Sequence, residues 1–226
     1  MNFLVLGRGK TGSLVAQYAR ERHHHVHVLG SDDNNNGKAL TSATLQNVDT
    51  VIDFTTPAAV IDNIQACLRE KKNMVVGTTG WYSHLSKVRS EIEKTGIGFL
   101  LGPNFSIGVN LFFETVRTAA EAAGHGYSGQ IFERHHHTKK DAPSGTALVI
   151  QKIVKEKSDA ELEITSFREG DVVGLHELIF DSSNDRIYLC HDAKSRRGYA
   201  EGAVLGAEWL SGRKGFFEFK DIWREL

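Results

Sequence analysis

The first strand-to-helix turn narrows the folds open to this chain more than any other feature. An apolar run, Phe3-Leu4-Val5-Leu6, leads into Gly7-Arg8-Gly9-Lys10-Thr11-Gly12, and helical spacing of Leu14, Val15 and Tyr18 follows from Thr11 to Arg22. G-x-G-x-x-G between a strand and a helix has a physical purpose. The first glycine makes the tight turn, the second lets a pyrophosphate approach the backbone, and the third allows close packing of helix on strand. The helix start then presents partial positive charge to the phosphates. Gly7, Arg8, Gly9, Lys10, Thr11 and Gly12 are candidates for holding a dinucleotide. The alternative is a glycine-rich turn with no ligand.

The alternation set up by this turn continues. Short apolar runs at 26–29, 51–54, 74–77 and 99–101 predict strands, and helical patterns at 58–71 and 85–93 lie between them. Strands alternating with helices imply a parallel sheet covered on both faces. Beyond Pro103 the pattern changes. Helices are predicted at 109–123 and 144–156, with a strand at 130–134 between them. Three strands at 162–168, 173–180 and 186–191 then follow without intervening helices. Such a run suggests an antiparallel or mixed sheet and hence a second domain. A last helix at 200–210 and the tail to Leu226 are expected to return to the first domain.

Two ends of predicted strands also face the ligand edge of such a sheet. One is Asp53-Phe54-Thr55. The other is Gly77-Thr78-Thr79-Gly80, where small residues leave room for a flat ring. Asp32 and Asp33 follow the second strand, about where a ribose-binding acid stands ~20 residues after the glycines. An acid there favours NADH, whereas Arg8 and Lys10 suit the 2′-phosphate of NADPH, so both cofactors stay open. Asp32 to Gly37 otherwise reads as a polar loop, and His23-His24-His25 as a solvated turn.

The 226 residues carry a formal net charge of -1, which gives no general attraction for nucleic acid or an acidic membrane. No apolar run approaches the ~20 residues that span a bilayer, and no basic leader precedes the first strand. Cys67 and Cys190 lack metal spacing and read as reduced thiols. A soluble cytoplasmic protein is expected.

The densest chemistry lies between Glu133 and Ala147. Here the chain passes from a strand, through a polar loop with His135-His136-His137 and Lys139-Lys140, to a helix start at Ser144-Gly145-Thr146. Free N–H groups and a hydroxyl at a helix start suit a carboxylate. Lys139 adds a cation, and His135 titrates near neutrality. A metal is disfavoured, because adjacent residues of an extended chain point to opposite faces and no Cys, Asp or Glu offers an evident further ligand.

Glu-x-His-His-x-x-Lys-x-Asp-Ala-Pro-Ser-Gly-Thr-Ala, Glu133 to Ala147, resembles the signature of the 4-hydroxy-tetrahydrodipicolinate (dihydrodipicolinate) reductases of bacterial lysine and diaminopimelate synthesis. Supporting matches include the glycine loop, Asp53 to Thr55, Gly77 to Gly80, Asn104 to Asn110, Arg168-Glu169-Gly170, Gly174-Leu175-His176 and His191 to Arg196. The resemblance implies a Rossmann-like parallel-sheet dinucleotide domain plus a smaller mixed α/β domain for substrate binding and assembly into a homotetramer. Residues 1–106 with 197–226 would form the first domain and 107–196 the second. The glycine loop, Phe54, Gly77, Thr78, Thr79, Pro103, Asn104, Phe105 and Ser106 would hold NADH or NADPH, with Asp32 at the ribose. His135 and Lys139 would be catalytic. His136, Ser144, Gly145 and Thr146 would bind the carboxylates of a small cyclic dicarboxylate, set between the nicotinamide and the helix start. The chain is shorter than is usual in the family, with a tighter glycine loop and reduced segments after the second strand and after Glu156. A related dehydrogenase of another imine or carbonyl acid, or a non-catalytic dinucleotide sensor, is the alternative.

Overall fold

A computed structural model describes residues 1–158 and 161–226. The shortened segment after Glu156 includes residues 159–160, which lie outside the described residues. The chain divides into two compact units, Met1–Ile107 with Arg196–Leu226, and Gly108–Ser195.

Unit 1 contains strands β1 (Asn2–Leu6), β2 (His25–Leu29), β3 (Thr50–Asp53), β4 (Asn73–Val76) and β5 (Gly98–Leu101). Its helices up to that point are α1 (Lys10–Glu21), α2 (Ser42–Leu45), α3 (Pro57–Arg69) and α4 (Leu85–Thr95). Unit 2 contains α5 (Ile107–Ala119, whose first residue belongs to unit 1), β6 (Ser128–His135), α6 (Gly145–Ser158), β7 (Glu163–Arg168), β8 (Leu175–Asp181) and β9 (Arg186–Asp192). The chain then returns to unit 1 with α7 (Arg197–Trp209), β10 (Gly215–Glu218) and α8 (Phe219–Ile222).

The six strands of unit 1 run parallel in the order β10-β5-β4-β3-β1-β2. Alternate residues of each strand point to opposite faces, and both faces are dry. Leu4, Val51, Met74, Val76 and Phe99 pack on one side against Val60 and Ile64 of α3 and Val88 and Ile92 of α4. Phe3, Val5, Ile52, Val75 and Leu100 pack on the other against Val15 and Ala19 of α1 and Ala203, Val204 and Ala207 of α7. The order in which strands are added reverses between β1 and β3, the switch point at which open α/β sheets bind ligands. The expected parallel sheet is therefore present, with one addition. β10, read from sequence only as tail, pairs with β5 and becomes the edge strand.

In unit 2 the strands are ordered β7-β6-β8-β9, with β6 parallel to β7 and antiparallel to β8, so the sheet is mixed, as expected. Ile131, Leu178 and Phe180 meet Phe112 and Val116 of α5 and Ile150, Ile153 and Val154 of α6 in one core. Glu133, His135 and His176 lie on this same covered face and are buried. The opposite face carries Phe132, Ile179, Phe167 and Tyr188, the last two exposed.

Two sequence expectations need correction. His24 is not simply part of a solvated turn. Its ring lies 4.5 Å from that of Phe3, and its Nε2 is 2.6 Å from the Glu208 carboxylate on α7. The loop after β2 is polar but not wholly exposed, since Asn34 is buried. Cys67 and Cys190 are both free thiols. Among the described residues no helix is long and apolar enough to cross a membrane.

Candidate functional site

In unit 1 the glycine loop sits at the switch point. Gly7 has φ +104°, and a Cβ there would lie 2.3 Å from the Phe54 carbonyl oxygen at the end of β3. A Cβ on Gly12 would lie 2.2 Å from the Gly7 carbonyl oxygen, so only glycine lets α1 approach its strand. Gly9 differs, because a Cβ there would meet no atom within 4 Å. Gly9 also caps α1 without a side-chain hydrogen bond, and no acid occupies the helix's first turn. Open backbone at an uncapped helix start is what a pyrophosphate requires. The residues present thus fit a dinucleotide, with Arg8 and Lys10 exposed and Thr11 half-buried beside the opening.

At the end of β2 the two candidate acids separate. Asp32 is exposed and accepts a long 3.4 Å hydrogen bond from its neighbour Ser31. Asp33 accepts the Gly30 N–H at 2.9 Å and pairs with the Arg8 guanidinium at 2.5 Å. Asp33, rather than Asp32, is the acid fixed to the strand end. Phe54 and Gly77 end neighbouring strands and are half-buried, and Thr79 is exposed. The Thr78 hydroxyl points inward and donates to Asp53 at 2.6 Å, and its carbonyl accepts the Trp81 indole N–H at 2.8 Å. Pro103 is exposed, Asn104 accepts the Ser106 N–H at 2.9 Å, and the Phe105 ring is 2% exposed in the core against Phe219. Phe105 therefore supports that loop from below.

The carboxyl end of β6 in unit 2 carries a second cluster. The His135 Nδ1 is hydrogen-bonded to Glu133 Oε2, and Glu133 Oε1 accepts from Arg168 Nη2 at 2.7 Å. Residues 133 and 135 share a face because strand side chains repeat every second residue, and Arg168 is the β7 partner of His135 in register. Burial pushes the Glu133 carboxyl up, but the Arg168 guanidinium and the His135 imidazole outweigh it and hold the group below the usual carboxylate range. Burial also pushes His135 down, more than the Glu133 carboxylate raises it, so His135 lies below its ordinary value. An ionised Glu133 accepts the proton of Nδ1 and leaves Nε2 as the exchanging atom. A Cβ at Gly174 would sit 3.0 Å from Nε2, so this glycine keeps that nitrogen clear.

Beside His135 stands His176, with ring centroids 5.1 Å apart. Burial pushes His176 down to about 3. Its Nε2 is 3.0 Å from Ser144 Oγ, while Ser144 accepts the Ala147 N–H at 3.3 Å and so caps α6. Gly145, the first residue of α6, is exposed, and a Cβ there would meet no atom within 4 Å. Thr146 is half-buried next to it. Lys139 is close enough to depress His135 and His176 by its charge, and its ammonium is paired with both Asp141 oxygens at 2.7 and 2.9 Å. His136 bonds through Nδ1 to Thr138 Oγ1 at 2.7 Å.

The structure thus brings His135, Ser144 and Lys139 into one neighbourhood and adds Glu133, Arg168 and His176, to which sequence reading gave no role. The two-residue spacing of Glu133 and His135 on a strand was the available signal for the first. Glu133, His135 and His176 also place ligand atoms within 4.8 Å of one another, a carboxylate-containing set that the histidine run alone did not suggest. The Glu133 carboxylate is already committed to Arg168 and His135, which favours acid–base work over metal binding.

The profile described as "Dihydrodipicolinate reductase, N-terminus" matches residues 1–105, and "Dihydrodipicolinate reductase, C-terminus" matches residues 108–223. A 4-hydroxy-tetrahydrodipicolinate reductase of Christiangramia forsetii is 36% identical over 240 aligned positions, covering 100% of this chain and 99% of that protein. One from Laribacter hongkongensis is 37% identical over 200 positions, covering 80% of this chain and 74% of the relative. Among solved structures, a dipicolinate-bound dihydrodipicolinate reductase from Paenisporosarcina sp. TG-14 superposes with a TM-score of 0.78 at 22% identity, covering 98% of this chain and 99% of that one. The last likeness speaks for the fold.

Proposed function

Because the chain belongs to the dihydrodipicolinate reductase family, we propose that it reduces 4-hydroxy-tetrahydrodipicolinate to tetrahydrodipicolinate with NADH or NADPH, in lysine and diaminopimelate synthesis. The substrate loses water and gains a hydride and a proton. Unit 1 holds the dinucleotide through the glycine loop, the ends of β3 and β4, and the 103–106 loop, and the bound nicotinamide supplies the hydride. Unit 2 holds the ring. The N–H groups of Gly145 and Thr146, with His136 and the Lys139 ammonium, meet its two carboxylates. Asp141 shares Lys139 in the free protein, so a ligand carboxylate competes with it for the same ammonium.

His135 carries the proton at Nε2. In the free protein its burial favours the neutral ring, and a dianionic ligand beside it favours the imidazolium. Substrate binding thus charges the acid that the reaction consumes. The observation that carries this reading is the buried Glu133–His135 pair next to a helix start capped by Ser144. Asp33 suits a ribose diol and Arg8 a 2′-phosphate, which supports use of either dinucleotide. A homotetramer built through the uncovered face of the unit 2 sheet, and a cytoplasmic location, belong to the same reading.

The test is an assay with freshly generated substrate, following NADH and NADPH oxidation in parallel by absorbance. Turnover with at least one is expected. No turnover with either, in protein that circular dichroism finds folded and light scattering finds monodisperse, rejects the activity. The same light-scattering run is expected to give four times the chain mass.

A further inference from the structure

Beneath the ligand edge of unit 1 runs a chain of buried polar groups centred on Asp53, Asn63 and Asn34, to whose side chains no role is given above. The Ala39 N–H donates to Asn34 Oδ1 at 3.2 Å, and Asn34 Nδ2 donates to Asn63 Oδ1 at 2.9 Å. Asn63 Nδ2 donates to Asp53 Oδ2 at 2.8 Å. The other Asp53 oxygen accepts the Thr55 N–H at 2.9 Å, the Thr55 hydroxyl at 2.7 Å and the Thr78 hydroxyl at 2.6 Å. Asp53 and Asn63 are 0% exposed, Thr78 6% and Asn34 8%.

The chain has one possible direction. Its first group is a backbone N–H, which only donates, and its last is the Asp53 carboxyl, which accepts from four donors; burial pushes that group up, and the hydrogen bonds from Thr78, Thr55 and Asn63 offset part of the push. Flipping either asparagine amide would set two donors face to face. The polar groups therefore lock together three loops that leave the strands at the ligand edge: the loop after β2 that carries Asp33, the turn after β3 at Thr55, and the turn after β4 at Thr78. Asp53 occupies the junction. The sheet alone does not fix these loops, since each has already left its strand.

We propose that Asp53 is a positioning residue for dinucleotide binding, holding the ribose-side loop and the two central turns in one register through Asn63 and Asn34. This rests on the reading of unit 1 as the dinucleotide-holding unit. A mismatched link in the chain is relieved by shifting a loop rather than a strand, because β3 is also held on both sides by its ladder pairing with β1 and β4. The cost therefore falls on binding before it falls on the fold.

The chain can be rewired to test this. Asp53→Asn alone, or Asn63→Asp alone, mismatches one link. In the double variant D53N/N63D, the amide now at position 53 donates to the carboxylate now at position 63, which still accepts from Asn34. The amide oxygen at position 53 still accepts from Thr55 and Thr78. Every link is restored with the same heavy-atom count and charge. Titrating the full-length protein with NADH and with NADPH by fluorescence, and measuring steady-state KM and kcat, gives the readout. Each single variant, with two donors face to face in Asp53→Asn and two acceptors in Asn63→Asp, is expected to weaken binding and raise the dinucleotide KM about 10- to 100-fold, the range for a buried polar group left without its partner. kcat should stay within about threefold, and the double variant should return KM to within about threefold of the parent. Thr78→Val, which removes the hydroxyl that donates to Asp53 and accepts the Thr55 N–H at 2.8 Å but leaves that N–H its bond to Asp53, serves if the single variants fold poorly, and should raise KM by a smaller factor.

Singles that bind as the parent does, or a folded double variant no better than the singles, overturn the proposal. So does an unchanged KM in Thr78→Val. A parent protein that binds neither dinucleotide sinks the reading of unit 1 itself, which separates that failure from this one.

Discussion

At His135 two environments oppose each other. Burial favours the neutral ring, and the Glu133 carboxylate favours the charged one, with burial the stronger. In the proposed role of proton donor His135 works in its charged form, so kcat/KM is expected to fall as pH rises through a midpoint below 6.5, the ordinary histidine value. In Glu133→Gln the carboxylate that raises His135 is gone. The midpoint should move to still lower pH, with a loss at neutrality of about tenfold for each pH unit it travels. An unmoved profile would remove Glu133 from the acid's environment. His135→Gln should lower kcat by about two to four orders of magnitude, the usual range for a general acid, with NADH titration unchanged. His135 and Lys139 were legible in the sequence because one motif carries both, at a strand end and before a helix start. Arg168 and His176 were not, because β7 and β8 must pair with β6 before either reaches the site. Which of Asp32 and Asp33 is held at the strand end was hidden for a similar reason: only the folded turn shows which carboxylate reaches the Gly30 N–H.

Among elements, α1 depends most sharply on a single residue. Gly12 stands where α1 crosses β1, with the Gly7 carbonyl in the space a side chain would fill. Backbone cannot yield there as a side-chain tip can. Gly12→Ala should therefore cost about 1–3 kcal/mol, the range for overpacking, and weaken dinucleotide binding as the loop is pushed from its turn. Urea unfolding and NADH titration of the variant measure the two effects, and a variant equal to the parent in both would show that the loop gives way freely. This element was readable because its glycines, apolar run and helical period lie next to one another along the chain. The parallel sheet was readable from alternation for the same reason. β10 was not. Its four residues, Gly215 to Glu218, have no period of their own and become a strand only because β5 offers an open edge. Asn34 shows the same limit in a loop: its polar neighbours predict exposure, and Asn63 on α3 draws it inside.

For the whole molecule, His176 makes stability depend on acidity. Its buried ring is pushed down to about 3, against 6.5 for the ordinary side chain. Between those values the unfolded chain takes up a proton that the folded chain refuses. The contribution is full above pH 6.5 and is lost as pH falls toward 3, by up to about 1.4 kcal/mol per pH unit. Urea midpoints measured from pH 7 to pH 4 should fall, and His176→Asn should flatten the slope. An equal slope in the variant would assign the acid sensitivity to other groups.

The return of residues 196–226 to the first sheet has a further consequence. During synthesis the ribosome delivers β1 to β5, then all of unit 2, and only afterwards α7 and β10. Until then the α7 side of the nascent sheet lacks Ala203, Val204 and Ala207, and the β5 edge has no neighbour. The second unit can condense while the first is still waiting for its last layer. A premature stop after residue 195 would therefore release a product whose second unit has its complete sequence and whose first unit has a bare apolar flank, the kind of species that chaperones retain and proteases clear.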